Sequence, residues 1–353
     1  MKSSSILLPY DKIKKFVLSK YNLQSSQIEQ IKFKDTEKQR AVYSVSSPSE
    51  KYCLKKVYYK KEDLLFVYSA TEWLYRYNIN VTRVLPTYDN MRFVSYNDMI
   101  FILMPWINGR KFNYDTMDDI LKASKNLALM HKCSSNFFPI QGSSTRNGFD
   151  RIDLSTKKHF EQILDFCNTA YKINDEFSKV LLNNSENCIS LSKKALEASS
   201  FINTNNLTKS LCHLDYVNKN IIFDDSDDIW IIDFDNCRID FCAHDISYFL
   251  RRILKRDSTV WNNEILINTL NSYESVKNLN LDEYLYILSY LAFPQKCWKI
   301  CRDYYKNIRR CNKNSFIKLL KDSIKYNKEQ LEFSRNFANY INGKFNVDLK
   351  YSD

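Results

Sequence analysis

The stretch that most constrains the fold is residues 211–236, where polar side chains interrupt two short apolar runs. Residues 221–223 and 229–234 have the composition of strands, and the acidic run between them is typical of a solvated connection. Such a hairpin brings Asn220, at the start of one strand, close to Asp233, at the end of the other. The sequence therefore predicts a hairpin that places an amide beside a carboxylate.

Asn220, Asp233 and Asp215 have the side-chain types of a metal-phosphate site. Amide and carboxylate oxygens are hard ligands that suit Mg²⁺, which usually takes waters and phosphate oxygens for the rest of its octahedron. Asp215 stands five positions before Asn220, on a predicted loop where it can accept a proton from an incoming hydroxyl. Calcium binding by the acidic run is disfavoured, because that run lacks the Gly and the final Glu of an EF-hand loop.

The order of these residues carries a resemblance to kinases. An acidic turn alone is usually only a turn, but His213 and the three residues above follow the order His-x-Asp-x4-Asn and then Asp-Phe, as in protein-kinase catalytic loops. The chain also has Cys-His-x-Asp at 212–215, Ile-Ile-Asp-Phe-Asp at 231–235 and His-Asp-Ile at 244–246. It thereby resembles the aminoglycoside phosphotransferase and choline kinase superfamily, and within it most closely the CotS-type spore-coat kinases of spore-forming bacteria.

This resemblance implies an α+β, two-lobed, protein-kinase-like fold. A small antiparallel-sheet N-terminal lobe, residues 1–104, would bind nucleotide, and a large helical C-terminal lobe would occupy residues 105–353. The second lobe would contain the catalytic loop at 211–236, a helical substrate-side insertion at about 151–201 and basic C-terminal helices. The length of 353 residues also favours more than one domain.

The N-terminal part alternates apolar and polar residues as strands do, after a predicted short helix at 10–21. The predicted strands are residues 41–46, 51–59, 81–85, 92–95 and 99–104. Cys53 and Lys55 share one face of the second strand. The resemblance implies that Lys55 binds the ATP phosphates and that Cys53 lines the adenine pocket. The adjacent Lys56 leaves an exposed Lys-Lys strand edge as the alternative.

A helix is predicted over residues 62–77, with Glu72 on its apolar side. The predicted apolar stripe comprises Leu65, Tyr68, Glu72 and Tyr75. A carboxylate on such a stripe is costly unless it is paired, and kinases pair the phosphate-binding Lys with a Glu of this helix. We therefore predict a Lys55–Glu72 ion pair, with a solvated Glu72 at the margin of the stripe as the alternative.

Two further segments bear on nucleotide binding. The resemblance makes residues 101–110 the last strand and the hinge, where Met104 to Trp106 would offer backbone groups to adenine, and Gly109 there indicates a backbone requirement. Between Lys34 and Val42, where protein kinases have a Gly-rich loop, the chain has no Gly. Fewer backbone donors would weaken ATP binding, which strengthens the alternative of an inactive kinase.

The resemblance also gives roles to other residues of the 211–246 region. Asp235 stands where protein kinases have the Gly of Asp-Phe-Gly, and it is predicted to add a metal contact or to touch the acceptor. His213 and Asp245 are expected to hold the loop, and Asp245 is also a candidate helix cap. Leu214 replaces the usual Gly of His-Gly-Asp, which adds bulk and restricts the backbone.

The rest of the chain has helical periodicity and a surplus of positive charge. Helices dominate from residue 117, with clear periods at 160–171, 175–200 and 281–340, and His131 falls on a core-facing side. The 52 basic and 41 acidic residues give a net charge of +11, which favours a nucleotide, a phosphorylated substrate, an acidic protein or nucleic acid as partner. Nucleic acid is disfavoured, because no recognised motif accompanies the charge.

The basic residues of the last helices, among them Lys296 and Lys299, allow two interpretations. A charged helix face is usually only solvated. The alternative is a surface that contacts an acidic partner or a phosphorylated substrate. Because an aminoglycoside pocket is generally acidic, this basic region disfavours an antibiotic as the acceptor.

Cysteine usage and hydropathy indicate the compartment. Ten cysteines are scattered without a Cys-x-x-Cys pair, which favours reduced, buried thiols over a disulfide framework. The pairs Cys237/Cys242 and Cys297/Cys301 lack a His or a second pair at zinc spacing. The apolar patch within residues 1–10 is too brief for a signal peptide, and no apolar run reaches membrane-spanning length. We therefore expect a cytoplasmic protein without a membrane segment.

The expected function is ATP-dependent transfer of the γ-phosphate to a hydroxyl, with ATP and Mg²⁺ as cofactors. The acceptor would be a coat protein or a small alcohol such as a sugar or a choline-like compound. The resemblance implies association with other spore-coat proteins, in the mother-cell cytosol and then in the coat. The alternative is a weakly active or inactive kinase-fold component of the coat.

Overall fold

Alternating stretches of the sequence form strands in the first third of the chain, and helical periods dominate the rest. The structure, a computed structural model, describes residues 8–34 and 40–349. The strands are β1 (Gln27–Lys34), β2 (Arg40–Ser46), β3 (Lys51–Val57), β4 (Val94–Tyr96), β5 (Met99–Pro105), β6 (Arg110–Lys111), β7 (Lys209–Cys212), β8 (Ile221–Phe223), β9 (Ile229–Ile231) and β10 (Arg238–Phe241).

The helices of the described ranges follow the same chain order. They are α1 (Tyr10–Phe16), α2 (Lys61–Arg76), α3 (Met117–Cys133), α4 (Ile152–Ile173), α5 (Glu176–Leu182), α6 (Ser185–Ser200), α7 (Cys242–Leu254), α8 (Asn263–Glu274), α9 (Leu281–Ala292), α10 (Gln295–Lys306), α11 (Lys313–Ile324) and α12 (Asn327–Phe345). Within residues 8–34 and 40–349, no helix combines the length and the apolar character that a membrane span needs.

Packing divides the chain into two compact units. The first consists of Met1–Phe112, Asn136–Arg146 and Asn218–Cys237. The second consists of Asn113–Ser135, Asn147–Val217 and Arg238–Asp353. The predicted lobe boundary between residues 104 and 105 stays a prediction, and the predicted catalytic segment 211–236 is shared between the two units.

The first unit is built on an antiparallel sheet with the strand order β1-β2-β3-β5-β4. Side chains of β2 and β3, including Tyr43, Val45 and Leu54, pack with Ile13 of α1 and with Val17, which follows α1, and each of these five is at most 1% exposed. Burying a large apolar side chain in this way stabilises the fold by roughly 1.5–3 kcal/mol. Strand alternation therefore predicts β2, β3, β4 and β5 of this sheet, whereas β1 is not among the predicted strands.

The predicted strand at residues 81–85 is wrong. The backbone N–H of Thr82 donates to the Ile231 carbonyl and that of Leu85 to the Leu103 carbonyl, at 3.4 and 2.8 Å. Because these bonds go to two different strands, the segment cannot run along either one as a neighbouring strand. It adds only an isolated parallel bridge between Val81 and Ile231.

Helix α2 lies where it is predicted, but its buried face differs from the predicted stripe. Its buried apolar residues are Leu64, Phe66, Val67, Ala70 and Leu74, whereas Tyr75 of the predicted stripe is 48% exposed. The difference arises because α2 is covered on more than one side. The rings of Phe66 and Trp73 both pack edge-on against Phe137, from the separate segment Asn136–Arg146.

The second unit is helical, with β7 and β10 paired antiparallel. The predicted helix at 175–200 is two helices, α5 and α6, because the chain turns at Asn183 and Asn184 and the Asn184 amide donates to the Val180 carbonyl at 3.0 Å. The predicted cap role of Asp245 is also wrong. Helix α7 begins at Cys242, so Asp245 lies inside its first turn.

All ten cysteines are free thiols. The buried ones are Cys167, Cys188, Cys212, Cys237, Cys242, Cys297 and Cys301. Burial raises the pKa of Cys242 to about 12, so this thiol stays neutral and packs as a small apolar side chain.

Candidate functional site

The predicted hairpin forms from β8 and β9, in antiparallel register. Its acidic turn is closed by Asp224, whose carboxylate accepts hydrogen bonds from the backbone N–H of Ser226 and of Asp228, each at 3.0 Å. The N–H of Ile232 donates to the Asn220 carbonyl at 3.0 Å. This last bond fixes Asn220 beside the residue that precedes Asp233, as the hairpin prediction requires.

Lys55 is the centre of a buried ion cluster in the first unit. Its Nζ donates to Asp233 Oδ1 at 2.9 Å and to Asp235 Oδ1 at 2.5 Å. Arg40 donates through Nη2 to Asp233 Oδ2 at 2.8 Å, and its Nη1 lies 3.5 Å from Asp235 Oδ2. Two cations and two carboxylates thus balance one another at a site where Lys55 is only 3% exposed.

The electrostatics of the cluster favour the charged form of both partners. Burial opposes ionisation of Asp233, but the charges of Lys55 and Arg40 outweigh it and hold the pKa of Asp233 below its usual range. Burial also opposes protonation of Lys55, and the charges of Asp235 and Asp233 raise its pKa in spite of that. Each charge is therefore maintained by its neighbours.

A cavity of about 290 Å³ adjoins the cluster, and residues of the first unit line it. The predicted site residues in its lining are Cys53, Lys55, Met104, Trp106, Asn220 and Asp233. Val42, Ile222 and Ile232 contribute apolar surface. A concave apolar site with a few convergent polar groups is the usual form of a small-molecule site. The structure thus brings together residues that are far apart in the sequence.

The residues predicted to contact adenine differ in the groups that they can present to it. Cys53 pairs with Met104 across β3 and β5, so both reach the same wall. The backbone N–H of Trp106 donates to the Lys51 carbonyl at 3.1 Å, which occupies one of the backbone groups of Met104 to Trp106 that were predicted to serve adenine. Gly109 is required by geometry. Its φ is +146°, and a Cβ there would lie 2.1 Å from the Phe223 carbonyl oxygen.

The predicted Lys55–Glu72 ion pair is absent among the described residues. Glu72 instead accepts two hydrogen bonds from Arg83, at 2.9 Å from Nε and 2.8 Å from Nη2. The planar guanidinium matches both carboxylate oxygens, while Lys55 is already paired with Asp233 and Asp235. The structure therefore separates Glu72 from the other predicted phosphate-site residues.

Asn220, Asp233 and Asp235 fit a magnesium ion chemically. They offer an amide oxygen and carboxylate oxygens, the hard ligands that Mg²⁺ prefers. Asp235 Oδ2 is buried and has no hydrogen-bond partner, so a cation at this oxygen would satisfy it. Tyr59 donates to the other oxygen, Oδ1, at 3.2 Å.

Sequence reasoning missed three residues of this site. Arg40 pairs with Asp233, Tyr59 donates to Asp235, and Arg146 Nη2 donates to the Asp235 carbonyl at 2.5 Å. Arg40 carried a usable signal, because it alternates with Val42, the next lining residue of β2. The Gly-free residues 35–39, which were predicted to weaken ATP binding, lie outside the described residues.

The loop that carries Asp215 belongs to the second unit and follows β7. Asp245 holds it by accepting hydrogen bonds from the backbone N–H of His213 at 2.7 Å and of Leu214 at 2.9 Å. The N–H of Asp215 donates to His213 Nδ1 at 3.2 Å. Leu214 adopts a left-handed conformation with φ of 58°, which fits its replacement of a Gly. Asp215 itself is half-buried.

His131 contacts Asp245, and Tyr273 contacts His131. His131 Nε2 lies 3.3 Å from Asp245 Oδ2, and His131 Nδ1 lies 2.7 Å from the Tyr273 hydroxyl. Ligand atoms of His131, Cys212 and Asp245 all lie within 4.8 Å of one another. Because hydrogen bonds already engage His131 and Asp245, we interpret this cluster as a brace for the loop. Burial opposes ionisation of Asp245, but the hydrogen bond with His131 helps to lower its pKa.

Three solved structures with a similar fold are phosphotransferases or kinases. An aminoglycoside phosphotransferase from Alicyclobacillus acidocaldarius has a TM-score of 0.78 at 17% identity, with 97% of this chain and 98% of that chain covered. Spectinomycin phosphotransferase with bound ADP and spectinomycin has a TM-score of 0.64 at 19% identity, covering 93% and 98%. A microcompartment-associated aminopropanol kinase has a TM-score of 0.58 at 14% identity, covering 97% and 99%. These likenesses confirm the predicted kinase-like α+β fold.

The family itself is shown by the sequence match. Residues 33–279 match the family model for the phosphotransferase enzyme family. That segment is well over half of the 353-residue chain and contains the ion cluster, the hairpin and the loop of Asp215. The chain therefore belongs to the phosphotransferase enzyme family.

Proposed function

We propose that the protein transfers the γ-phosphoryl group of ATP to a hydroxyl group. The observation that carries this proposal is the buried Lys55, which is held between Asp233 and Asp235 at the wall of a cavity that also includes Asn220. In the reaction, the acceptor oxygen forms a bond to the γ-phosphorus, and the bond from that phosphorus to the β–γ bridging oxygen breaks. ADP leaves, and the hydroxyl proton passes to the Asp215 carboxylate.

The residues of the first unit would bind the nucleotide. Lys55 would bind the α- and β-phosphates, and Arg40 supplies a second cation beside it. Asn220, Asp233 and Asp235 would hold Mg²⁺, which when bound would neutralise phosphate charge. Burial raises the pKa of Cys53 to about 11, so its neutral thiol would contact the base. The spectinomycin enzyme with bound ADP supports nucleotide use.

Asp215 would orient the acceptor hydroxyl and accept its proton. Two features support this role: Asp215 is half-buried, so a ligand can reach it, and its loop is fixed by hydrogen bonds to the buried Asp245. Asp215 also precedes Asn220 by only five positions, so the chain itself limits how far these two residues can separate.

The cellular role is a finer proposal that rests on the sequence resemblance alone. The motifs at 212–215, 231–235 and 244–246 resemble those of CotS-type proteins, and we propose a spore-coat-associated kinase on that basis. A kinase for a small alcohol is the other enzymatic candidate. The added bulk of Leu214, which stands beside Asp215 in place of the usual Gly, is the observation that favours a weakly active or inactive component.

Magnesium-dependent ATP binding tests the proposal directly. We expect MgATP, followed by calorimetry, to bind the wild-type chain and to bind Asp233→Ala at least tenfold more weakly. Asp225→Ala is the matched control, because Asp225 is an exposed carboxylate of the same hairpin turn; it should bind like wild type. No binding at millimolar MgATP would contradict the proposal and favour a coat scaffold.

Asp215→Ala separates catalysis from binding. We expect this variant to keep its fold and its affinity for MgATP and to lose at least a hundredfold in phosphoryl transfer. The readout is ADP release in the presence of an acceptor found by screening. Unchanged turnover in Asp215→Ala would remove Asp215 from the mechanism.

A further inference from the structure

The second unit contains a cavity of about 380 Å³ whose walls carry concentrated positive charge. The basic residues of its lining are Arg251, Arg252 and Lys255, from the end of α7, and Lys296 and Lys299, from α10. Asp322 of α11 is the carboxylate of that lining. The basic residues of α10 thus form part of a concave site, which a merely solvated helix face would not do.

These positive charges lack carboxylate partners. Across residues 8–34 and 40–349, none of the five basic side chains forms an ion pair with a carboxylate. Arg251 donates from Nη1 to Gln295 Oε1 at 2.8 Å, and its guanidinium lies 4.1 Å from the Tyr290 ring centroid. Its Nε is buried without a hydrogen-bond partner. A buried unsatisfied N–H of a charged group is costly, and a bound anion would relieve that cost.

The basic side chains also raise one another's electrostatic energy. Burial and the nearby positive charges, Arg252 first among them, lower the pKa of Lys255 to about 8. Burial and Arg251 likewise lower the pKa of Lys299. A bound anion would reverse this repulsion, because an opposite charge favours the protonated form of a lysine.

The N-terminus of α10 adds a further attraction for an anion. Gln295, Lys296 and Cys297 form its first turn and line the cavity. The N-cap residue, Pro294, provides no side-chain hydrogen bond to this turn. The Gln295 N–H donates to the Phe293 carbonyl at 2.8 Å, and the other N–H groups of this first turn and the helix dipole favour negative charge.

Helix α7 connects this cavity to the loop of Asp215. The ring of Phe249 packs edge-on against Tyr216, with their centroids 5.4 Å apart. Burial opposes protonation of Arg252, whereas its hydrogen bond to Tyr248 and the charge of Asp215 contribute to raising its pKa. Arg252, on the cavity wall, therefore lies within electrostatic reach of the proposed proton acceptor.

We propose that this cavity binds the anionic group of a small phosphate acceptor, a phosphorylated or carboxylated compound that presents a free hydroxyl to Asp215. This inference rests on the proposed function and narrows its substrate class. The cavity of about 380 Å³ has the size of a small-molecule site, and Tyr248 and Tyr290 add aromatic side chains to its lining. A cationic acceptor would meet five like charges.

Calorimetry on the full chain tests the inference with inorganic phosphate and glucose 6-phosphate as probes. The test variant is Lys296→Gln/Lys299→Gln, which removes two exposed lysines of the lining. The matched control is Lys306→Gln/Lys318→Gln, which removes two exposed lysines outside it. We expect wild type and control to bind both probes equally, and the test variant to bind them at least tenfold more weakly, with unchanged affinity for MgATP.

Three results would overturn the inference: equal probe affinity in the two double variants, tighter binding of spectinomycin than of glucose 6-phosphate, or binding of polyglutamate but of neither small anion. The last result would indicate a surface for an acidic protein. MgATP binding by the wild type distinguishes a failure of the cavity assignment from a failure of the proposed function. If MgATP binds and neither small anion does, only the cavity assignment fails. If MgATP does not bind, the proposed function fails with it.

Discussion

Lys55 and Asp233 depend on each other for their charged states, because both lie where an unpaired charge would be costly. The Nζ of Lys55 also reaches Asp235, and Arg40 completes a set of two cations and two carboxylates. Removing one member leaves the others unbalanced. Substitutions here should therefore change stability as well as nucleotide binding.

Substitution of Lys55 should be strongly destabilising. Lys55→Met would leave the buried carboxylates of Asp233 and Asp235 with Arg40 as their remaining cation, and we expect a loss of about 3 kcal/mol in the free energy of unfolding. Lys56→Met is the matched control, since burial already lowers the pKa of Lys56. Its loss should stay below about 1 kcal/mol. Urea denaturation measures both, and equal losses would contradict the placement of Lys55.

The stability contributed by Asp233 should depend on pH. Although burial opposes it, Lys55 and Arg40 hold the pKa of Asp233 below its unfolded value, which is near ~3.9. The contribution is therefore fully present above that unfolded pKa and is lost as the pH falls toward the folded one. We expect Asp233→Asn to lower the free energy of unfolding by about 2 kcal/mol at about pH 7 and by about 1 kcal/mol less than that at about pH 3.

Urea denaturation at the two pH values is the measurement for Asp233→Asn. Asp225→Asn, at an exposed position of the same hairpin turn, should show little change at either pH. A loss for Asp233→Asn that is the same at both pH values would mean that its charge does not stabilise the folded state.

At the scale of single residues, chain order predicts local proximity better than pairing between distant residues. The position of Asn220 and Asp233 at one cavity can be predicted, because the hairpin of β8 and β9 follows from the order of the residues, while the role of Asp215 stays a prediction. The ion-pair partner of Glu72 cannot be predicted from the sequence, since the packing of two neighbouring segments determines whether Lys55 or Arg83 reaches it. The replacement of Gly by Leu214 was visible in the sequence, and its φ of 58° shows that the backbone keeps a conformation that Gly would favour.

At the scale of elements, turn residues predict well where strands end. Hydrophobic periodicity predicts less well which face of a helix is buried. The acidic run separates β8 from β9, and Asp224 closes it with hydrogen bonds that a strand interior could not use. The bounds of α2 are predicted within one residue, but its stripe is not, because Phe137 covers a second side. Tertiary packing decides which side of a helix is buried.

Gly109 provides a test at this scale. A Cβ at this position would lie 2.1 Å from the Phe223 carbonyl oxygen, so Gly109→Ala must shift the pairing of β6 with β8. We expect a loss of about 2 kcal/mol or more. Gly343→Ala is the control, because a Cβ at that position in α12 would meet no atom within 4 Å beyond its chain neighbours and the adjacent helix backbone; it should gain about 0.5–1 kcal/mol. Thermal unfolding reports both, and a neutral Gly109→Ala would contradict the close approach.

At the scale of the whole molecule, motif order predicts the fold. Packing determines the division into units and the place where positive charge is concentrated. The resemblance was sufficient for the kinase-like α+β fold, because the order of the motifs survives where overall identity is low. The division into units was not predictable, since it joins Asn136–Arg146 to strands far away in the sequence. The net charge of +11 was visible, whereas its concentration in one cavity depends on how α7 packs near α10.

On the proposed assignments, the first and last turns of α7 have different roles. Asp245, in its first turn, fixes the loop that performs the chemistry, while Arg251 and Arg252, in its last turn, select the molecule that undergoes it. During evolution, acceptor specificity could therefore change through substitutions in the last turn of α7, while its first turn stays the same. Acceptor specificity could then change while Asp245 keeps its hydrogen bonds to the loop of Asp215, and a protein engineer could diversify it in the same place.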